Sequence, residues 1–216
     1  MRDVHISHAA QSDRCPPLLC AGRRYAAPVL VIVHGWQGSG PEHWQSRLAA
    51  RLPEVRYPRL PDADRPRRAA WLAALADTLA GLPDGGFDVV CHSLAVPLWL
   101  HHAAAGSGPR AARVLLVAPP SPTLTVPELA GFLPPPLDPA AVARVAGHTE
   151  LLGTDDDPYC PEGALAAYGR PLGVPTTVVP GGGHLNVEAG YGPWPAMEAW
   201  ARSPGRRWAP TAAAPV

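Results

Sequence analysis

Three residues of reactive type, Ser93, Asp157 and His184, each come shortly after an apolar segment that has the pattern of a buried strand. A serine hydroxyl is a poor nucleophile at neutral pH. It needs a base to take its proton, and a carboxylate to orient that base. Histidine and aspartate supply these two functions. The three residues therefore predict nucleophilic catalysis through an acyl-enzyme, provided that the fold brings them together.

The segment FDVVCHSLAVPLW, residues 87–99, places Ser93 between a predicted strand and a predicted helix. A sharp strand-to-helix turn lifts a serine hydroxyl above the sheet and points the helix N-terminus at it. The usual Gly-x-Ser-x-Gly pattern has glycines because strand and helix approach closely there. Cys91 and Ala95, the next smallest choices, replace both glycines in this chain. The alternative is that Ser93 is only the N-cap of the helix, a common use of serine.

The predicted base and acid follow the serine in the order Ser, acid, His, which is the chain order of the α/β-hydrolases. His184 follows three glycines, and a loop without side chains could bend so that the imidazole reaches the serine. The alternative is that His184 is a surface histidine without a catalytic role. The acid is one of three neighbours, Asp155, Asp156 and Asp157. We favour Asp157, which directly precedes the Pro-Tyr-Cys-Pro segment before the next helix, and the alternative for the other two is a solvated loop.

An acyl-transfer site also needs two N–H groups for the oxyanion. We assign these to Leu94, directly after the serine, and to Trp36, in the loop after the first strong strand. The substrate pocket is assigned to four further residues: His34, Gly35, Trp44 and Asn186. The remaining nearby histidines, His43, His101 and His102, are interpreted as helix residues without a catalytic part. Cys91 is interpreted as a small buried hydrophobe rather than a rival nucleophile.

Strands alternate with helices along the chain, which predicts an α/β domain with a mostly parallel sheet flanked by helices. Ligands of such sheets bind outside the carboxyl ends of the strands, where the three reactive residues fall. The predicted strands are 27–33, 55–57, 87–91, 113–118, 149–153 and 176–179, and the predicted helices are 41–52, 66–82, 94–105, 140–145, 162–168 and 193–202. The segment 119–139 holds eight prolines and is predicted to be a loop or a small cap.

Three ranges describe the predicted domain organisation: an irregular N-terminal extension at 1–26, an α/β domain at 27–203 and a disordered tail at 204–216. The formal net charge is zero, from 18 basic and 18 acidic residues, which argues against nucleic-acid or membrane-surface binding driven by charge. The chain has no lysine, so Schiff-base chemistry is excluded. No pattern assigns an oligomeric state.

The four cysteines, Cys15, Cys20, Cys91 and Cys160, are widely spaced and form no CxxC motif, so neither a zinc site nor a disulfide framework is expected. A metal site from His34, His92 and the aspartate run 155–157 is a weaker alternative. The N-terminus carries charges and lacks the apolar core of a signal peptide, and no apolar run is long enough for a membrane span. We therefore expect a cytoplasmic protein with no cofactor.

Four segments of the chain resemble the small α/β-hydrolases of the YdeN-like family, relatives of retinoblastoma-binding protein nine. They are VIVHGWQGSGPEHWQSRL at 31–48, DVVCHSLA at 88–95, DDPYC at 156–160 and GGGHLNVEAGYGPWP at 181–195. The resemblance covers most of the chain, and its last segment is the most specific. It implies a compact serine hydrolase with a reduced or absent cap and no cofactor. It also implies that Ser93 is the nucleophile, Asp157 the acid and His184 the base.

The expected function is hydrolysis of a small carboxylic ester or amide, because 216 residues leave little chain for a large lid. Its partner is then a small-molecule substrate. Two alternatives stay open from the sequence. The same triad would serve an acyltransferase, in which an alcohol or amine replaces water, and a hydrolase scaffold could also serve a binding protein without turnover.

Overall fold

The computed structural model describes residues 28–209. The predicted N-terminal extension, residues 1–26, lies outside the described residues, and so do residues 210–216 of the predicted tail.

Six parallel strands form one sheet, with the order β2-β1-β3-β4-β5-β6. The strands are β1 Val29–Val33, β2 Val55–Arg56, β3 Phe87–His92, β4 Ala111–Val117, β5 Ala146–Thr154 and β6 Thr176–Val179. The chain runs outward from β1 to β2 and then returns across the sheet to β3. The carboxyl ends of β1 and β3 therefore mark a topological switch point, where such sheets bind their ligands.

Helices cover both faces of the sheet, so the α/β fold that the sequence predicts is confirmed. They are α1 Trp44–Arg51, α2 Arg68–Leu79, α3 Ala95–Ala105, α4 Pro139–Val145, α5 Arg170–Leu172 and α6 Pro195–Ala201. A π-helical turn, Leu165–Gly169, leads directly into α5. The proline-rich segment between β4 and α4 is irregular apart from one 3-10 turn, Pro127–Leu129.

The alternation of side chains along the central strands divides the core into two clusters, one on each face of the sheet. Val31, Val33 and Val89 pack with α2, α3 and α4 on one face. Leu30 and Ile32 pack with α1 and α6 on the other face. Both faces of each central strand are buried, which explains why these strands are continuous apolar runs in the sequence.

Helix α1 begins at Trp44, three residues later than the proline at which the sequence predicts it to start. His43 is extended in the backbone, and its side chain accepts a hydrogen bond from the N–H of Gln45. A residue with this conformation and this bond is an N-cap. His43 therefore ends the glycine-rich loop. The prediction that it lies inside the helix is wrong.

Residues 204–209, which the sequence assigned to a disordered tail, pack against the domain. Trp208 is 9% exposed, and its backbone N–H donates to the Glu150 carboxylate at 2.9 Å. The Arg113 guanidinium donates to the carbonyl of Arg206 at 2.6 Å. The chain therefore packs against the domain at least as far as Trp208, because an indole side chain removed from water holds this segment in place.

Replacing Trp208 with alanine is expected to lower the free energy of unfolding by about 3 kcal/mol, since the indole is buried and packs edge-on against Trp194. Urea denaturation measures this loss. Arg207→Ala is the matched control, because that side chain is exposed and its removal should change stability by no more than about 0.5 kcal/mol. Equal stability of the two variants would mean that the segment is not packed in solution.

Candidate active site

Ser93 lies at the carboxyl end of β3 with a left-handed backbone, φ 55°. Its N–H donates to the Val117 carbonyl at 2.9 Å, and its own carbonyl accepts from the N–H of Val96, also at 2.9 Å. The N-cap of α3 is Leu94, and no side chain caps that helix. The alternative of Ser93 as a capping residue is therefore wrong. Its hydroxyl instead lies 3.0 Å from Nε2 of His184.

The turn at Ser93 is tightly packed although it lacks both usual glycines. Cys91 and Ala95, which stand where the glycines would be, are both completely buried. The glycine that the geometry requires is in the neighbouring loop. A Cβ atom on Gly35 would lie 2.8 Å from the Ser93 Cβ and 3.0 Å from the His92 carbonyl oxygen. The close approach is thus between the loop after β1 and the turn after β3.

His184 is held between Ser93 and Asp157. Its Nδ1 lies 3.0 and 2.9 Å from the two Asp157 carboxylate oxygens. One of these oxygens also accepts the N–H of Tyr159 at 2.9 Å. Because a carboxylate can only accept, Nδ1 carries a proton, which leaves Nε2 of the neutral ring free to accept the serine proton. The arrangement can activate the hydroxyl and stabilise the imidazolium that forms.

The other two residues of the aspartate run have different partners. Asp155 accepts the N–H of Gly181 at 2.8 Å, and Asp156 accepts the N–H of Gly183 at 2.7 Å. Neither carboxylate is hydrogen-bonded to His184 within residues 28–209. Two of the three aspartates thus hold the glycine loop, and only Asp157 bonds to the imidazole.

Two aromatic side chains hold the backbone around His184. His92 Nε2 donates to the His184 carbonyl at 3.0 Å, and the Trp44 indole donates to the Leu185 carbonyl at 2.9 Å. Leu185 itself has a positive φ of 49°. Trp44 is 1% exposed and does not line the cleft, so its assignment to the substrate pocket is wrong. The indole is buried beneath the loop that carries His184, where its hydrogen bond to Leu185 holds it away from the cleft.

An open cleft of about 860 Å³ lies over Ser93 and His184. Gly35 and Asn186 line it, as the sequence predicts. His34 lies behind the cleft wall, where its Nδ1 donates to the Gly35 carbonyl at 2.8 Å. Burial lowers the pKa of His34, so the ring is neutral there. The assignment of His34 to the substrate pocket is therefore wrong, because the ring faces the protein interior.

The two N–H groups predicted to bind an oxyanion belong to residues that line the cleft, Leu94 and Trp36. Among the loop and turn hydrogen bonds of residues 28–209, none has the backbone N–H of Leu94 or Trp36 as its donor. The Trp36 loop is anchored because its indole donates to the Asp64 carbonyl at 3.0 Å, and the N–H of Gln37 donates to Ala63 at 2.9 Å. A loop fixed in this way can present a backbone donor without reorganising.

The structure bears on three other features in the part of the chain that it describes: a cysteine nucleophile, a metal site and a membrane-spanning helix. Burial raises the pKa of the Cys91 thiol, so Cys91 stays protonated and is no rival nucleophile. No group of three or more His, Cys, Asp or Glu side chains between residues 28 and 209 is arranged to hold a metal ion. No helix in that range has the length and apolar character that a bilayer crossing requires.

The sequence profile of the serine hydrolases matches residues 30–202, most of the chain. The chain belongs to the serine hydrolase family. The match covers the turn at Ser93 and the His184 loop. This serine hydrolase matches no curated protein sequence significantly.

Solved structures of other hydrolases share the fold. The ydeN gene product of Bacillus subtilis aligns with a TM-score of 0.67 and 23% identity over 80% of this chain and 96% of its own. A YdeN-like hydrolase of Pectobacterium atrosepticum aligns with a TM-score of 0.66 and 23% identity over 80% and 87%. An esterase domain from Rhodothermus marinus aligns at 0.55 and 15% identity over 84% and 89%. The predicted resemblance to YdeN-like α/β-hydrolases is confirmed.

Sequence reasoning missed two aromatic residues of the site. The Tyr159 ring lies 4.5 Å from the His184 ring between centroids and covers it on the cleft side. His43 lines the cleft, although the sequence placed it in a helix without a role. Tyr159 could have been found from its position two residues after Asp157. The sequence gives no comparable signal for His43, because the direction of a capping side chain depends on the fold.

Gly35→Ala is expected to lower the free energy of unfolding by about 1–3 kcal/mol, since the new methyl group would overlap the backbone and Cβ of the turn at Ser93. Urea denaturation measures the loss. Gly40→Ala, in the same loop, is the matched control, because its Cβ would meet nothing within 4 Å. A Gly35→Ala variant as stable as Gly40→Ala would show that the two loops are not in close contact.

The free energy of unfolding is expected to fall as the pH decreases from about 7 to about 5. Burial lowers the pKa of His92 well below its usual value and that of His43 to about 4. The unfolded chain takes up these protons below about pH 6.5, and the folded protein does not, so acid favours unfolding. Urea denaturation at the two pH values measures the loss.

For His43 the loss in this interval is about 2 kcal/mol, given a pKa of about 4 in the folded protein. His43→Ser should remove that share of the pH dependence. An unchanged pH dependence in the variant would mean that folding does not lower the pKa of His43.

Proposed function

We propose that this serine hydrolase cleaves a small carboxylic ester or amide through an acyl-enzyme, with Ser93 as the nucleophile. The observation that supports this most directly is the continuous hydrogen-bonded chain from the Ser93 hydroxyl through His184 to Asp157. The acid and the base are both largely removed from water, at 5% and 8% exposure. In such surroundings the carboxylate interacts strongly with the imidazolium that forms during attack.

The reaction begins when Ser93 Oγ attacks the substrate carbonyl and His184 Nε2 takes the hydroxyl proton. The C–O or C–N bond to the leaving group then breaks, and His184 returns the proton to that leaving group. Water enters the open cleft, gives a proton to His184 and attacks the acyl-enzyme. The acid product leaves, and the proton returns to Ser93. Asp157 stays ionised throughout and keeps the imidazole in the required tautomer.

The backbone N–H groups of Leu94 and Trp36 are proposed to bind the negative charge on the carbonyl oxygen during both attacks. Leu94 directly follows the nucleophile and precedes α3, whose N-terminus carries partial positive charge. Trp36 follows Gly35, which packs so closely on Ser93 that a Cβ atom there would lie 2.8 Å from the Ser93 Cβ. Donors from these two positions would converge on an oxygen bound over the serine.

The cleft supports a small, uncharged acyl group in preference to an anion. Leu124, Val126 and Leu129 of the proline-rich segment form an apolar wall. The charged side chains of the cleft wall, Asp156 and Glu188, are both acidic, and no arginine lines the cleft in the part of the chain that the structure describes. Because these charges repel carboxylates and phosphates, neutral esters and amides are the expected substrates.

Labelling by a fluorophosphonate probe tests the proposed roles. Native protein should be labelled, Ser93→Ala should not react, and His184→Ala and Asp157→Asn should react at least about a thousandfold more slowly, since the base is then lost or holds the wrong tautomer. Mass spectrometry locates the label, and its time course gives the rate.

Asp155→Asn and Asp156→Asn are the matched controls, because these residues hold the glycine loop and not the imidazole. Their labelling rates should stay within about tenfold of the native rate. A folded native protein that is not labelled would contradict the proposal and favour a binding role. Product analysis of ester turnover with added alcohol then separates hydrolysis from acyl transfer.

A further inference from the structure

One side chain of the cleft wall, His43, is not used by the proposed mechanism. It is 7% exposed, yet it lines the same cleft as Ser93 and His184. Its Nδ1 accepts the N–H of Gln45 at 3.2 Å and caps α1. Its ring lies 5.0 Å from that of His92, whose ring lies 5.1 Å from that of His184. His43 is therefore near the reacting groups without touching them.

The hydrogen bond at Nδ1 fixes the state of the ring. A nitrogen that accepts an N–H carries no proton, so the neutral ring has its only proton on Nε2. Burial lowers the pKa of His43 to about 4, and the nearby Glu188 carboxylate opposes that shift only in part. At neutral pH the side chain thus presents one uncharged donor, Nε2–H.

This donor has no acceptor within residues 28–209. Nε2 forms no hydrogen bond to any described residue. Because Nδ1 is bonded to the first turn of α1 and the residue lines the cleft, the opposite ring edge, which carries Nε2, faces the cleft. A donor on a nearly buried ring is expected to have a partner, and the cleft is where a ligand can supply one.

Capping alone does not account for a histidine at this position. An N-cap needs only a side-chain acceptor, and serine, threonine, asparagine or aspartate supplies one with shorter reach. Histidine differs from these residues because it adds a second polar atom on the far edge of the ring. That atom is an uncharged donor, and the acidic cleft wall disfavours anions, so its partner should be a neutral oxygen.

We propose that His43 Nε2–H binds a second acceptor oxygen of the substrate, such as an ether, hydroxyl or amide oxygen beyond the scissile carbonyl. This inference rests on the proposed function and makes His43 a specificity-determining residue. It predicts that the enzyme prefers oxygen-bearing esters over hydrocarbon esters of the same length. The preference should appear mainly in KM, because the bond forms in both the ground state and the transition state.

Two substitutions separate the donor from the cap. His43→Ser retains a capping acceptor but removes the donor, whereas His43→Gln places an amide N–H where Nε2 lies but makes a poor cap. His43→Ser loses a buried ring and His43→Gln loses the cap, so each should lower the Tm by about 2–4 °C, and the measured Tm verifies that both variants fold. His43→Thr replaces the serine variant if that variant does not fold. His148→Ser, at the amino end of β5, is the control outside the cleft.

Two pairs of substrates locate the oxygen. Nitrophenyl methoxyacetate and nitrophenyl butyrate differ by an oxygen in the acyl part, and methoxyethyl butyrate and butyl butyrate differ by an oxygen in the alcohol part. The ratio of kcat/KM within each pair is the readout. In one pair His43→Ser should lower the native ratio about three- to tenfold, the effect of one neutral hydrogen bond. His43→Gln should restore most of it, and His148→Ser should leave it unchanged.

Each contrary outcome has a distinct meaning. If the native enzyme hydrolyses the butyrate esters but His43→Ser changes neither ratio, the inference about His43 is wrong and the proposed function stands. If His43→Gln loses the preference as completely as His43→Ser, the donor has no role. If the folded native enzyme hydrolyses none of the four esters, the proposed function and the inference both fail.

Discussion

The left-handed backbone of Ser93 is the constraint on which the rest of the site depends. For a residue other than glycine this conformation costs about 1–2 kcal/mol, so the surrounding structure must hold it. The bond from its N–H to the Val117 carbonyl and the close packing of Gly35 supply that support. The same turn directs α3 into the core, where Leu98 and Trp99 are fully buried. Strain at one residue is thus balanced by the packing of a whole helix.

The imidazole is positioned by two strand ends that act together. The ends of β5 and β6 are paired, with Thr154 opposite Val179, and the Thr154 hydroxyl donates to the Gly183 carbonyl at 2.6 Å. Asp155 and Asp156 hold the N–H groups of the same glycine loop. A loop of glycines would otherwise be flexible. Its bonds to the neighbouring turn make it rigid enough to hold a histidine between two partners.

The cleft combines an apolar wall and a polar wall whose charges are negative. The proline-rich segment supplies the apolar wall, and the charged residues of the polar wall are Asp156 and Glu188. The buried histidines near the cleft, His34, His43 and His92, are kept neutral by burial. They can therefore position groups by hydrogen bonds without adding the positive charge that would attract anions. This balance is consistent with neutral substrates and with a substrate oxygen at His43.

The sequence by itself determined where the strands lie along the chain and which three reactive residues follow them, Ser93, Asp157 and His184. Continuous apolar runs identify buried strands, and each of these three residues follows such a run within a few positions, so their place at one sheet edge is a local property. The tertiary structure decided which way the large side chains face. Trp44 bonds to Leu185, far along the chain, and Trp208 packs on Trp194 although it follows a segment that resembles a tail. His34, expected in the substrate pocket, lies behind the cleft wall, whereas His43, expected in a helix without a role, lines the cleft. Burial and direction of these residues depend on contacts between distant segments, which no local pattern encodes.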